Sequence, residues 1–299
     1  MAKDLMNLLD LTKEELREVL DLAHKYREDR TLDNTSLSGK TIGLIFLKNS
    51  TRTRVSFEAG VNQLGGYPMF MDQNSLQLGR GESFEDTAKV LSRYLDGIVI
   101  RGHEHEDIKA FADACTIPVI NALTDTFHPC QLLADMQLIE ATSGKLEGVK
   151  VAFMGDCASN MALSWIYAAH LTGMELTLGG PDGYLPSQEF LDSIGNPSNI
   201  KVTTDAKAAA QDVDYIYTDV WVSMGFEEEA KDRLASFAPY QVNMALLSVA
   251  KADVKVMHCL PAYRDKEVSA EVIDGPHSII WDQAENRLHA QKAVMKLKF

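Results

Sequence analysis

Thr41-Ile42-Gly43-Leu44-Ile45-Phe46-Leu47-Lys48-Asn49-Ser50-Thr51-Arg52-Thr53-Arg54 opens with an unbroken apolar run and ends in a cluster of cations and hydroxyls. A short continuous apolar run of this kind reads as a strand buried on both faces, and a helix follows from about Val55 through Leu64. The same alternation continues downstream. Ser83 to Tyr94 is helical, Gly97 to Ile100 a strand, His105 to Ala114 helical, Ile117 to Ile120 a strand and Pro129 to Ala141 helical. Strands separated by helices imply an α/β fold whose mainly parallel sheet is covered by helices on both faces. Upstream, Thr12 with Glu15 forms a capping box for a first helix reaching about Arg27.

A polar stretch from Thr142 to Gly148 precedes a second series of units, placing a domain boundary between residues 1–143 and 144–299. That series predicts strands at Val149 to Met154, Glu175 to Leu178, Ile200 to Thr203, Val213 to Tyr217, Val254 to Met257 and Ser278 to Trp281. Helices are predicted at Met161 to Leu171 and Glu227 to Phe237, with a final one over about 283–297 that returns to the first domain. The length of 299 residues agrees with two domains of about 150 residues each.

Hydrophobic residues make up 45% and charged residues 24% of the chain, the balance of a folded globular protein. A net charge of −14 gives no general attraction to nucleic acid or to an anionic membrane, so any anionic ligand needs a locally basic pocket. Cys115, Cys130, Cys157 and Cys259 are widely spaced, unlike a zinc site or a disulfide scaffold, which fits a reducing cytoplasm. Neither an apolar signal core nor a membrane-length apolar stretch is legible.

In open parallel sheets, ligands bind beyond the carboxyl ends of the strands. Lys48 through Arg54 leaves such an end and meets a helix N-terminus, where free backbone N–H groups, the helix dipole and arginine forks suit a phosphate. Neither Walker spacing nor a dinucleotide fingerprint is present, and a solvated basic turn is the alternative. Arg101 ends the strand Gly97 to Ile100. His128 and Gln131 share one helical face, and a donor beside an acceptor suits an O=C–NH₂ group; for the His, a capping or core role is the alternative. In the second half, Asn160 sits at a helix start, as a ligand contact or an N-cap. Asp219 to Gly225 offers a carboxylate, a hydroxyl and backbone N–H groups suited to an amino acid's ammonium and carboxylate. Adjacent side chains at a strand end point apart, which argues against a His258–Cys259 ion pair.

Six blocks in order resemble the aspartate/ornithine carbamoyltransferase family over the whole chain. They are Ser50 to Arg54, Leu78 to Ser83, Asp86 to Ala88, Leu123 to Asp125 with His128 to Gln131, Asp219 to Gly225, and His258 to Pro261. Ser223-Met224-Gly225 and His258-Cys259-Leu260-Pro261 resemble the ornithine branch. The resemblance implies transfer of the carbamoyl group of carbamoyl phosphate to the δ-amine of ornithine, with no metal, organic cofactor or covalent intermediate. It implies that Ser50, Thr51, Arg52, Thr53 and Arg287 hold carbamoyl phosphate, with Gln77 contributed across a trimer interface. Arg101, His128 and Thr53 would polarise the carbamoyl oxygen, and Gln131 would meet the carbamoyl amine. Cys259 and Leu260 would lie at the reacting nitrogen, with Asn160, Asp219, Ser223 and Met224 on ornithine. Ser159, Leu163 and Tyr263 depart from the family pattern on the amino-acid side. A carbamoyltransferase for putrescine or an acylated ornithine, and a non-catalytic anion-binding protein, are the competing readings.

Overall fold

The computed structural model describes residues 3–74, 76–222 and 230–299. The chain forms two compact units, one running to Ala141 and including Glu285–Phe299, the other Thr142–Ala284.

The first part of the chain runs α1 (Lys13–Glu28), β1 (Thr41–Phe46), α2 (Arg52–Gln63), β2 (Tyr67–Asp72), α3 (Phe84–Leu91), β3 (Gly97–Arg101), α4 (His105–Ala114), β4 (Val119–Leu123) and α5 (Pro129–Ser143). Its four strands are all parallel in the order β2-β1-β3-β4. β1 lies inside this sheet, and Ile42, Leu44 and Ile45 are fully buried, as the apolar run requires. β2 was not expected from the sequence. Pro68 interrupts the apolar run of Tyr67-Pro-Met-Phe-Met, a residue that cannot donate to a ladder and is tolerated on an edge strand. β4 starts two residues later than expected because Pro118 has no N–H to pair; its carbonyl instead accepts from Ile98.

The second part runs β5 (Lys150–Met154), α6 (Asn160–Thr172), β6 (Glu175–Gly179), α7 (Gln188–Ser193), β7 (Ile200–Thr203), α8 (Ala206–Ala210), β8 (Tyr215–Thr218), α9 (Ala230–Phe237), α10 (Met244–Leu247), β9 (Lys255–His258), α11 (Ala270–Ile273) and α12 (Ile280–Lys298). Five parallel strands lie in the order β7-β6-β5-β8-β9. The Tyr217 ring stacks on Phe153 at 5.6 Å and meets Trp165 edge-on at 5.2 Å, filling one face of this sheet. The expected strand Ser278 to Trp281 is corrected. Ser278 makes only an isolated bridge to Val256, and α12 begins at Ile280. Trp281 is 68% exposed although Ile280 beside it is buried, so this run is not buried on both faces. Asp282 also places a carboxylate in the helix's first turn, where the dipole favours it. Of the helix expected over Glu227 to Phe237, the first three residues lie outside the described ones.

From Glu285 onward α12 belongs to the first unit, with Ala290, Ala293, Val294 and Met295 buried. Gly60 of α2 lets it come close: a Cβ there would stand 2.8 Å from Met295 Cε and 3.3 Å from Lys292 Cγ. That close approach lies about two turns beyond Thr53 on α2 and Arg287 on α12.

Candidate active site

In the first unit the loops that leave β1, β3 and β4 carry the candidate residues. Leu47 N–H donates to Arg101 O, and Gly102 N–H donates to Leu123 O, so the three strand ends are tied side by side. α2 starts at Arg52, three residues earlier than expected, which puts Arg52, Thr53 and Arg54 in its first turn. Thr51 occupies the cap position but makes no side-chain cap hydrogen bond. The first N–H groups of this helix are thus left for another acceptor, which suits an anion. Arg52 and Thr51 are exposed, Ser50 is half-buried and Thr53 is buried. Arg54 turns away, its guanidinium 3.5 Å from the centre of the Phe70 ring.

Arg101 lies where the pairing of β3 with β4 shifts register, an irregularity of the kind that re-aims a side chain beside a site. His128 precedes α5 directly. The turn before it is closed by Thr124 N–H to Phe127 O at 2.9 Å and Phe127 N–H to Thr124 Oγ1 at 3.2 Å. Burial, reinforced by the charges of Arg287 and Arg101, holds His128 well below the ordinary histidine pKa. It is therefore a neutral imidazole at physiological pH, able to donate one N–H without becoming an acid. Arg287 links two elements: Nη1 donates to Gln131 Oε1 at 2.7 Å and Nη2 to Thr53 Oγ1 at 3.2 Å. Thr53, Gln131 and Arg287 are thereby joined, with Arg101 and His128 coupled to them through charge. Gln77 is exposed in a short 3-10 turn, Gln77–Arg80, and no contact among the described residues ties it to this group.

In the second unit, Gly155 follows β5 with φ of +118°, and a Cβ there would meet Trp221 Nε1 at 3.3 Å. The cap of α6 is Ser159, whose Oγ accepts from Ala162 N–H at 3.3 Å, so Asn160 is the first helical residue and its amide is not spent on the cap. Serine caps as well as asparagine, which accounts for the departure at position 159. Tyr263 is half exposed and Leu163 half-buried; nothing in the structure explains why they differ from the pattern. Ser223 and Met224 lie outside the described residues.

Asp219 follows β8 and Cys259 follows β9, neighbouring strands, and the Cys259 thiol donates to Asp219 Oδ1 at 3.0 Å. Burial raises the Asp219 carboxyl above its ordinary pKa, only partly offset by His258, the Cys259 hydrogen bond and the Val220 N–H. His258 has its own partners. Nε2 faces Glu267 Oε1 at 3.1 Å and Nδ1 accepts from Leu260 N–H at 2.8 Å. Donor-acceptor atoms of Asp219, His258 and Cys259 lie within 4.8 Å of one another, closer than fully opposed side chains would be. Seating a cation among them would break these hydrogen bonds. Leu260 adopts φ of +60° before a cis peptide to Pro261, and Glu267 Oε1 also accepts from Tyr263 N–H at 2.6 Å, so one buried carboxylate holds the whole turn. Arg233 braces the other loop: Nε donates to Trp221 O at 2.6 Å and the guanidinium pairs with Asp156. Glu267, Arg233 and the role of Asp156 were not expected from the sequence. The side-chain partner of Glu267 lies 9 residues away, and the partners of Arg233 and Asp156 lie 12 and 77 away, beyond any local spacing.

Both halves find their counterparts in known proteins. Residues 3–141 match the carbamoyl-P binding domain of aspartate/ornithine carbamoyltransferase, and residues 147–297 match the Asp/Orn binding domain. The chain belongs to the aspartate/ornithine carbamoyltransferase family. Among relatives in this family, the ornithine carbamoyltransferase of Oceanobacillus iheyensis is 51% identical over 98% of this chain and 93% of that protein. The Bacillus subtilis ornithine carbamoyltransferase is 49% identical over 99% of this chain and 93% of its own length. The structure of the Pyrococcus furiosus ornithine carbamoyltransferase superposes with a TM-score of 0.92 at 44% identity, covering 98% of this chain and 95% of that one.

Burial makes the first unit acid-sensitive. His289 on α12 is fully buried, with its pKa pushed down to about 4, and His128 is shifted in the same direction. In the unfolded chain both titrate near 6.5. Between 6.5 and the native value only the unfolded state binds the proton, so stability falls as pH drops, by up to about 1.4 kcal/mol per pH unit per group. Asp4 and Asp219, whose carboxyls are raised, act in the opposite sense, and His289→Gln leaves them unchanged. The parent protein is expected to lose more Tm between pH 7.5 and 5.0 than His289→Gln does; equal losses would refute the assignment.

Proposed function

We propose that this protein transfers the carbamoyl group of carbamoyl phosphate to the δ-amine of L-ornithine, giving L-citrulline and phosphate. The joined group of Thr53, Gln131 and Arg287 beside a neutral His128 and Arg101 carries this reading. Ser50, Thr51, Arg52 and Thr53 at the open N-terminus of α2 take the phosphate, together with Arg287 and, from a neighbouring subunit of a homotrimer, Gln77. Arg101, His128 and Thr53 aim donors at the carbamoyl oxygen, where negative charge develops as the carbon becomes tetrahedral. A neutral histidine still gives one N–H to that oxygen, and it adds no further cation beside two arginines. Gln131 accepts from the carbamoyl amine. Asp219 and Asn160, with Ser223 and Met224, hold the α-amino and α-carboxylate groups of ornithine, and Cys259 and Leu260 flank the attacking nitrogen. Collapse of the intermediate breaks the C–O bond to phosphate, and the proton that the attacking nitrogen gives up leaves with the phosphate; direct attack of this kind needs no covalent enzyme intermediate.

The protein works in the cytoplasm, in arginine biosynthesis. No helix among the described residues is long and apolar enough to cross a membrane.

Only the neutral δ-amine attacks. With an alkyl-amine pKa near 10.4, about 0.04% of it is neutral at pH 7. With saturating carbamoyl phosphate, citrulline formation is expected to rise with pH above 7 and to exceed the rates with putrescine and N-acetylornithine. Putrescine has no α-carboxylate to engage Ser223-Met224-Gly225. A higher putrescine rate would reassign the acceptor, and no turnover with any amine would leave an anion-binding protein.

A further inference from the structure

A glutamine amide can present either its oxygen or its NH₂ group to a ligand, and the two ends are nearly the same size. At Gln131 the choice is made by its neighbours. Gln131 and Asp135 lie one turn apart on α5, both buried. Gln131 Nε2 donates to Asp135 Oδ1 at 2.9 Å, and Gln131 Oε1 accepts from Arg287 Nη1 at 2.7 Å. A guanidinium has only donors and a carboxylate only acceptors. Turning the amide over would set oxygen against oxygen on one side and nitrogen against nitrogen on the other.

We infer that Asp135 is a positioning residue that fixes the polarity of the Gln131 amide, so that the site presents an acceptor and selects an O=C–NH₂ group over an O=C–CH₃ group of the same shape. This rests on the function proposed above, in which Gln131 meets the carbamoyl amine. Gln131 Oε1 has two lone pairs; Arg287 uses one, which leaves the other for a ligand N–H. Asp135 touches no substrate in this arrangement. It acts by occupying the donor end of Gln131 one helical turn away, where every residue of α5 from Pro129 to Ile139 is buried.

The test uses the whole protein and three probes in calorimetric titration. Phosphonoacetamide carries O=C–NH₂ on an inert phosphonate, 2-oxopropylphosphonate carries O=C–CH₃ in its place, and inorganic phosphate reports the anion cradle alone. The parent protein is expected to prefer the amide at least tenfold. Asp135→Leu, similar in size but with no acceptor, is expected to reduce that preference below threefold while phosphate binding stays within twofold. A polarity swap supplies the second arm. Gln131→Glu places a carboxylate against that of Asp135 and is expected to weaken phosphonoacetamide binding at least tenfold. Adding Asp135→Asn restores an N–H···O pair with donor and acceptor exchanged, leaves an acceptor facing Arg287, and keeps the net charge. The double variant is expected to bind the amide at least fivefold better than Gln131→Glu alone.

A parent protein without the amide preference, or an Asp135→Leu variant that keeps it, would overturn the inference. So would a parallel loss of phosphate binding, or a swap no better than its single variant, since a merely structural Asp135 predicts additive damage. If Asp135→Leu does not fold, the swap decides. Absence of citrulline formation by a parent protein that still prefers the amide would count against the proposed function and leave the polarity assignment standing.

Discussion

Arg101→Met and His128→Ala are each expected to lower kcat by about 10² to 10³ while phosphate still binds. Removing one donor aimed at a developing oxyanion costs about 2.7–4 kcal/mol of transition-state stabilisation in other acyl-transfer sites. The ground-state carbonyl needs that donor less than the tetrahedral oxyanion does, so the loss belongs in kcat more than in KM. The two residues are electrostatically coupled, because the Arg101 charge is one of the causes that keep His128 neutral. Arg101→Met therefore has a second readout: the His128 imidazole pKa, followed by NMR, is expected to rise. It should remain below 6.5, since burial is the larger cause and the substitution leaves it in place. Steady-state kinetics with phosphate as a competitive probe would check the first expectation. A kcat within tenfold of the parent for both variants would remove these residues from the reacting centre.

Asp219→Asn is expected to raise the KM for ornithine a hundredfold or more, with carbamoyl phosphate and phosphate affinities within twofold of the parent. The substitution keeps the shape and one acceptor oxygen but removes the charge that an α-ammonium pairs with, a loss characteristic of charge-assisted hydrogen bonds in dry surroundings. Cys259 keeps a partner in the Asn oxygen, so the turn after β9 is expected to hold. Burial has raised the Asp219 carboxyl, so it protonates at a higher pH than an ordinary aspartate. The KM for ornithine in the parent protein should accordingly begin to climb, on acidification, above the pH at which an exposed carboxylate would act. In Asp219→Asn that acid limb should vanish. An unchanged KM, or an equal loss of phosphate affinity, would take Asp219 out of the amino-acid contact.

The local code of this chain is legible over most of its length. The run from Thr41 to Leu47 announces a buried strand because every residue in it avoids water, and Thr12 with Glu15 announces a helix start because both caps lie three residues apart. The basic cluster after β1 and the residues Arg101, His128 and Asp219 stand at strand ends or in the loops that leave them, so a parallel sheet alone is enough to point to them. These readings succeed because strand alternation, helix capping and loop placement are decided by neighbours within a few positions. Even there the tertiary structure intervened. Ser278 to Trp281 has the residues of a strand and becomes a bridge and a helix start, and Tyr67 to Asp72 contains a proline yet pairs, because only an edge position spares Pro68 the need to donate.

What only the tertiary structure decided is the pairing that gives the candidate residues their chemical state. Arg287 meets Gln131 across 156 positions and Thr53 across 234, through the return of α12 to the first unit and the room left by Gly60. Glu267 holds the turn at His258 because both are buried in one place, and His128 is neutral because two arginines and the protein interior surround it. Burial and charge act through space rather than along the chain. A sequence names the groups that can carry a charge or a proton, while the packing around each group decides which form it takes.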